Sequence, residues 1–402
     1  MRRVRLSPMH GPMPRASFLF PAFLALILAA TGAARAVLPF HFGFYEPGPL
    51  DGITDVPGVR VAHVTRIQPP SIMTGATAIL PNADPWTHKV SAAFFALNGN
   101  GEMTGTHWID EAGYLEEPIV LTDTLDVGRA DDGVVSWQIQ HHPNIGRGDD
   151  VPLPVVAECD DGLLNDIQAR VVTAQDVVRL LDSAAAGQFA RGSVGAGTGM
   201  NAFRFRGGIG SASRVLPSSL GGYRVGVLVN DNTGSAPRAS LTIDGVPVGE
   251  KLKNEYLPVF SKRAAFADWP KGRLGEGSII VVVATDAPLD SRQLRAVALR
   301  AAMGMARTGM TSPISSGDLI VAFSTSRVFE YTGDYDVRAP AAPIVEDDGT
   351  LNALYTATAE ATQASIYDAL FEAKTATGRN GVKVYALPGQ KVLEMLRAAR
   401  AR

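Results

Sequence analysis

From about residue 50 onward, short apolar runs alternate with turns rich in Gly, Asp and Pro, and no long polar linker intervenes. The runs at 59–64, 76–80, 90–97, 155–157, 223–229, 279–284 and 319–324 have the length and composition of strands. Several are too continuously apolar to leave a face in water. Three segments read instead as helices. Thr173-Ala174-Gln175-Asp176 is a capping signal for a helix to about residue 186, and Asp290 opens another running to Arg307. The third, 351–373, carries Leu354, Ala357, Ala361, Ala364, Ile366 and Leu370 at helical spacing, and 382–387 reads as a further strand. Interleaved strands and helices predict one compact α/β unit whose sheets need covering on more than one face.

Composition narrows the partners. The chain has 402 residues, a net charge of −3 and no basic run beyond its N-terminus, so a nucleic-acid partner is not expected. Residues 1–36 combine three early arginines, an uncharged stretch from Ala16 to Ala34 and the small-x-small sequence Ala34-Arg35-Ala36, the pattern of a secretory signal peptide cut after Ala36. The mature protein, 37–402, is then expected to be secreted or periplasmic, with no membrane attachment once the signal is removed. Cys159 stands alone, so no internal disulfide is available and stability must come from packing.

Conventional chemistry finds little support. None of the seven histidines falls in a metal-ligand spacing, so neither a metal nor another cofactor is expected. The pair His141-His142 before Pro143 reads as a solvated turn. There is no G-x-S-x-G elbow, and the glycines of Gly195-Ala196-Gly197-Thr198-Gly199 come without the lysine of a phosphate loop. A local Ser–His pair is likewise missing.

The dipeptide Gly277-Ser278 offers another route, because it stands at the mouth of the buried run 279–284. A cut between the two would give Ser278 a free α-amine beside its hydroxyl. Such an amine titrates near pH 7.7–8 and can serve as general base without a histidine. The Ser278 hydroxyl could make the cut itself by attacking the Gly277 carbonyl, where glycine leaves room and tolerates strain.

Long motifs in order support this chemistry: GITDVPGVRVAHVT from Gly52, NGNGEMTGTHWI from Asn98, GSVGAGTGMNAFRFRGGIGSASR from Gly192, VGVLVNDNTG from Val225, GSIIVVVATDAPL from Gly277 and SSGDLIVAFST from Ser315. Over roughly residues 45–400 the chain resembles the L-aminopeptidase/D-esterase family, which includes the β-aminopeptidases. The resemblance implies a four-layer αββα sandwich, like N-terminal nucleophile hydrolases but with the connectivity of the ornithine acetyltransferase type. It also implies self-cleavage into an α-chain, 37–277, and a β-chain, 278–402, which remain together and assemble as a homo-oligomer.

Carried over residue by residue, the resemblance makes Ser278 the nucleophile of both processing and turnover. Ser316 and Asp318 of the SSGD motif would bond and orient its amine, and Asn232 would donate to the oxyanion, with Asn230 the competing candidate. Glu158 would receive the free amino group of a small peptide, amide or ester substrate, including D- or β-residues. Two residues later the family places a tyrosine at the oxyanion, whereas this chain has Asp160, which would oppose negative charge or turn to a substrate ammonium. Trp108 and Glu102 are candidates for the pocket wall, and the long segment 233–276 for a lid, a protomer contact or a surface excursion. Two alternatives remain: an acyltransferase of the ornithine acetyltransferase type, which uses threonine as nucleophile, and a catalytically inactive binding protein of the same fold.

Overall fold

The structure, a computed structural model, describes residues 38–261, 277–333, 336–340 and 346–401. The expected signal peptide lies outside the described residues. Along the chain run strands β1 (Arg60–Gln68), β2 (Ile72–Leu80), β3 (His88–Gly99), β4 (Tyr114–Leu115), β5 (Ile119–Thr122) and β6 (Val155–Glu158). They are followed by the short β7 (Asn201–Ala202) and β8 (Phe205–Arg206), then β9 (Gly208–Val215), β10 (Arg224–Asn232), β11 (Ser278–Thr285) and β12 (Gly317–Gly333). The helices are α1 (Thr106–Ala112), α2 (Val127–His141), α3 (Ala174–Asp182), α4 (Val248–Lys251), α5 (Ser291–Arg307), α6 (Asp348–Glu372) and α7 (Gly389–Arg400).

Strand alternation explains how these elements stack. In β11, Ile279, Val281 and Val283 face one apolar core while Ile280, Val282 and Ala284 face another, so both sides of the strand are buried. The first core lies between the large sheet, ordered β4-β3-β12-β11-β10-β9, and helices α5, α6 and α7. The second joins that sheet to a small one, ordered β1-β2-β5-β6, through residues such as Ile79, Leu121 and Phe323. A third covers the outer face of the small sheet with Val134, Trp137, Val177 and Leu181 of α2 and α3. The result is helix, sheet, sheet, helix, as the resemblance implies.

The capping signals behave as their chemistry requires. Asp290 accepts from the backbone of Gln293 at 2.8 Å while the Gln293 side chain returns the bond at 3.1 Å, and Thr173 pairs with Asp176 in the same way. Helix α3, however, stops at Asp182 and not near 186, because Ala185 leaves it to pair with Val61 of β1. The expected strand 382–387 is reduced to β14 (Lys383–Val384), which pairs with β13 (Ala376–Thr377) and bridges Val259. Its continuation serves a different end, since Tyr385 gives its carbonyl to the backbone of Arg206.

Two further expectations are corrected. His141 ends α2 with its side chain exposed, and the half-buried His142 caps it, with its Nε2 3.1 Å from Asp84 Oδ1 and its ring 6.4 Å from Trp86, so the pair closes a helix and only His141 is solvated. The first part of the 233–276 segment is not a surface excursion: Leu241, Ile243, Val248 and Leu252 are buried in the helix-side core of the large sheet. Residues 262–276 lie outside the described residues. Helix α2 itself carries little sequence signal, and Gly133 explains part of it, since a Cβ there would fall 2.6 Å from that of Val177 in α3. Close helix packing, not local propensity, chose that residue.

Candidate active site

Ser278 is the first residue of β11, and the register decides its neighbours. Its Cα pairs with Asn232 at the end of antiparallel β10 and with Gly317 at the start of parallel β12. Residues paired across adjacent strands project to the same face, so Ser278 and Asn232 stand side by side on the face turned to the small sheet. Asn230 pairs instead with Ile280, one pleat deeper and fully buried, which separates the two candidate amides by position.

The same end of the sandwich gathers the other strand ends. Asn100, Gly101 and Glu102 follow β3, Thr124 follows β5, Glu158 closes β6, Asp160 lies two residues on, and Ser315 precedes β12. Together with Ser278 these residues line one pocket of about 260 Å³. Glu102 thus lies in the wall as expected. Trp108 does not: it packs edge-on against Tyr114 at 6.0 Å.

Hydrogen bonds fix the polar groups. Gly317 donates its backbone N–H to Ser278 Oγ at 3.3 Å. The Asn232 amide is orientated from both sides, since Oδ1 accepts from the backbone of Asn201 at 2.9 Å and Nδ2 donates to the Asp160 carbonyl at 2.7 Å. One of the two Nδ2 hydrogens therefore has a partner and the other remains for a second acceptor. Gly277 packs so closely against Ser235 that a Cβ at this position would lie 2.2 Å from the Ser235 hydroxyl. A side chain before the serine would have to displace that contact.

Ser316 Oγ donates to Asp318 Oδ1 at 2.7 Å, and Asp318 registers with Ile279, the residue after the serine. The pair is buried at the base of the site and is not in the pocket wall. Burial holds the Asp318 carboxyl above its ordinary range, against the pull of the Ser316 and Ser312 hydroxyls. The loop presenting these serines is clamped to the end of β3, where Asn98 Nδ2 reaches the Pro313 carbonyl at 2.5 Å and Asn100 Nδ2 reaches that of Ser315 at 2.8 Å.

Glu158 is buried with its carboxylate turned to neutral donors. Oε1 accepts from the Glu102 backbone at 3.0 Å and Oε2 from the Thr124 hydroxyl. Burial raises its pKa, these two bonds lower it, and the nearby Asp160 and Glu102 raise it further. Asp160 Oδ1 accepts from the backbone of Gly162 at 2.7 Å. The described residues contain no cluster of His, Cys, Asp and Glu suited to a metal ion.

Of the site residues expected from the sequence, Glu102, Glu158, Asp160 and Ser278 line one pocket and Asn232, Ser316 and Asp318 lie against it, whereas Trp108 and Asn230 do not. The supports were not foreseen: Thr124 holding Glu158, Asn201 holding Asn232, Asn98 and Asn100 holding the serine loop, and Ser235 against Gly277. Asn98 and Asn100 sit in the NGNG motif and Asn201 in the glycine-dense motif, so a signal existed. Thr124 and Ser235 carried none.

Comparisons with known proteins agree with this geometry. The model for peptidase family S58 matches residues 51–384. A β-peptidyl aminopeptidase, BapA, of Sphingosinicella xenopeptidilytica is 38% identical over 397 residues, covering 96% of each chain. Among solved structures, a Burkholderia sp. β-aminopeptidase superposes with a TM-score of 0.78 at 38% identity, over 90% of this chain and 97% of its own. The L-aminopeptidase D-Ala-esterase/amidase of Ochrobactrum anthropi, described as a variant of the N-terminal nucleophile hydrolase fold, gives 0.76 at 36% identity, with coverage of 90% and 97%. These likenesses favour a hydrolase over the acyltransferase and binding-protein alternatives. With nucleophile candidate, amide donor and carboxylate converging in a fold of this kind, the chain belongs to peptidase family S58 and is a hydrolase of the aminopeptidase class.

Proposed function

We propose that this chain is a precursor that cuts itself between Gly277 and Ser278 and then removes N-terminal residues from small peptides, amides or esters, β-amino acid derivatives among them. The observation that carries the reading is the register: Ser278 begins a rigid buried strand, with Asn232 directly opposite and Glu158 across the same pocket. In processing, Ser278 Oγ attacks the Gly277 carbonyl carbon, the C–N bond breaks, and the nitrogen keeps its proton and gains that of the hydroxyl. Water then hydrolyses the resulting ester, restoring the hydroxyl and leaving a carboxylate on Gly277.

In turnover the freed α-amine takes the hydroxyl proton as Ser278 Oγ attacks the scissile carbonyl, and passes it to the leaving amine. Ser316 and Asp318 orient and tune that amine, while the second Nδ2 hydrogen of Asn232 stabilises the oxyanion. Glu158 pairs with the substrate ammonium. No metal or cofactor enters these steps. The arginine-flanked leader supports export by a signal peptide cut after Ala36, and the family resemblance supports a homo-oligomer of two-chain protomers.

Intact mass and N-terminal sequencing of the denatured protein test the reading. Two chains are expected, one beginning Ser-Ile-Ile-Val and the other ending at Gly277, and Ser278→Ala should remain uncut and inactive. Turnover by that variant at the wild-type rate would move the nucleophile elsewhere.

A further inference from the structure

In the proposed function, self-cleavage and turnover share a nucleophile but not an electrophile. Turnover attacks a substrate carbonyl in the pocket that Ser278 lines, whereas self-cleavage attacks the carbonyl of Gly277, a residue outside the pocket wall. The base of turnover is also missing before the cut, because the Ser278 nitrogen is still an amide. Proximity of the hydroxyl to the neighbouring carbonyl supplies part of what is lacking. The charge that develops on the Gly277 oxygen still needs donors beside Gly277. Ser235 stands there. Its hydroxyl oxygen crowds the point that a Gly277 Cβ would occupy, and its backbone nitrogen lies 3.1 Å from that point. Neither group has a hydrogen-bond partner among the described residues. The turn that presents them is pinned, since the Thr233 carbonyl accepts from Ala236 at 3.0 Å and from Phe203 at 3.2 Å.

We infer that Ser235 is a catalytic residue of self-cleavage and not of turnover, its hydroxyl and N–H together holding the oxyanion that forms on Gly277. The inference rests on the self-cleavage reading above. Successive residues entering a strand project to opposite faces, so Ser235 lies across the backbone from the Ser278 hydroxyl. Addition of that hydroxyl bends the carbonyl oxygen away from the attacker, toward the side that Ser235 occupies. As the bond from Ser278 Oγ to the Gly277 carbon forms, the carbonyl π pair moves onto oxygen and Ser235 donates to it. Collapse expels the Ser278 nitrogen, which takes the Oγ proton. Water then adds to the ester at the same carbon and raises the same oxyanion against the same donors. The Ser278 oxygen leaves with one proton of that water, and the other goes to the freed amine. Ser235 keeps its own proton throughout.

The full chain is synthesised in a cell-free system and quenched into denaturant at intervals, and the cut fraction is read on a gel. Ser235→Ala, which adds no bulk, should cut about tenfold or more slowly than the wild type, below the usual cost of an oxyanion donor because the backbone N–H remains. Ser235→Thr and Ser235→Val share a shape and differ by the hydroxyl, so Thr should cut faster than Val by a similar factor. Once cut, each variant should lose far less in kcat than it lost in cutting rate. Cutting by Ser235→Ala at the wild-type rate, or equal rates for Thr and Val, would overturn the inference while leaving self-cleavage intact. A kcat that falls in step with the cutting rate would also overturn it, since the hydroxyl would then serve turnover or the fold. A wild-type chain that stays whole would overturn both readings.

Discussion

Two groups of buried carboxylates occupy this sandwich, and their partners differ in kind. On the helix side of the large sheet, Asp368 faces Arg191 at 3.1 Å and Glu360 faces Arg214 at 3.5 Å, each with backbone N–H donors added. At the mouth of the sheets, Glu158 is bonded by a backbone amide and a threonine hydroxyl, and Asp318 by a serine hydroxyl. A buried charge is tolerated when matched, and matching inside the protein makes it structural. Carboxylates held only by neutral donors keep their attraction for a cation that arrives later. In the proposed function that cation is the substrate ammonium for Glu158 and, for Asp318, the α-amine released by processing.

The contrast can be broken from either side. Arg191→Met removes the internal cation and strands Asp368, so unfolding free energy should drop by about 3–5 kcal/mol, while kcat of the folded fraction stays near the wild-type value. Thermal denaturation alongside active-site titration checks this; a large loss of kcat without loss of stability would erase the distinction. Asn232→Ala should do the reverse, lowering kcat by about 10²–10³-fold, as expected for a lost oxyanion donor, with the melting temperature little changed.

Glu158→Gln keeps the shape and an acceptor for the Glu102 amide but removes the charge. Its kcat/KM for free-amine substrates should fall by about 10–100-fold, roughly the worth of a charged hydrogen bond, whereas N-acylated esters should lose little. Equal losses on both substrates would mean that Glu158 does not bind the amine.

The smallest effect concerns Asp231, the residue before Asn232. It is fully buried, Oδ1 accepts from the backbone and hydroxyl of Thr233, and burial raises its pKa to about 7. Because the folded value lies above the unfolded one of about 3.9, the folded state holds a proton that the unfolded chain releases first. Its contribution to stability is therefore complete below about pH 4 and is lost as pH rises toward and through 7. Asp231→Asn should flatten the decline in melting temperature between about pH 5 and 7; an unchanged slope would mean that Asp231 ionises freely when folded.

Much of the site was legible in the chain. Gly277-Ser278 before a β-branched run marked the candidate nucleophile, and the family resemblance singled out the NDN triplet, Glu158, Ser316 and Asp318 before any pairing was known. The choice between Asn230 and Asn232 was not legible. Both lie in one NDN triplet, and only the register of β10 against β11 sets Asn232 opposite the serine. Thr124 was invisible for a related reason: a threonine after a short strand resembles any capping residue until Glu158 is brought against it.

What the sequence by itself determined is local: period-two alternation buried β11 on both faces, and reciprocal side-chain caps started α3 and α5. Tertiary structure alone decided which strand ends meet. Residues 100, 124, 158, 232, 278 and 315 converge because strands from both sheets end at the same edge of the core between them, and periodicity assigns a face to a residue without naming its neighbouring strand. The same limit misplaced the stretch after Asn232, whose Leu241 and Val248 find a core made by helices more than forty residues further along the chain.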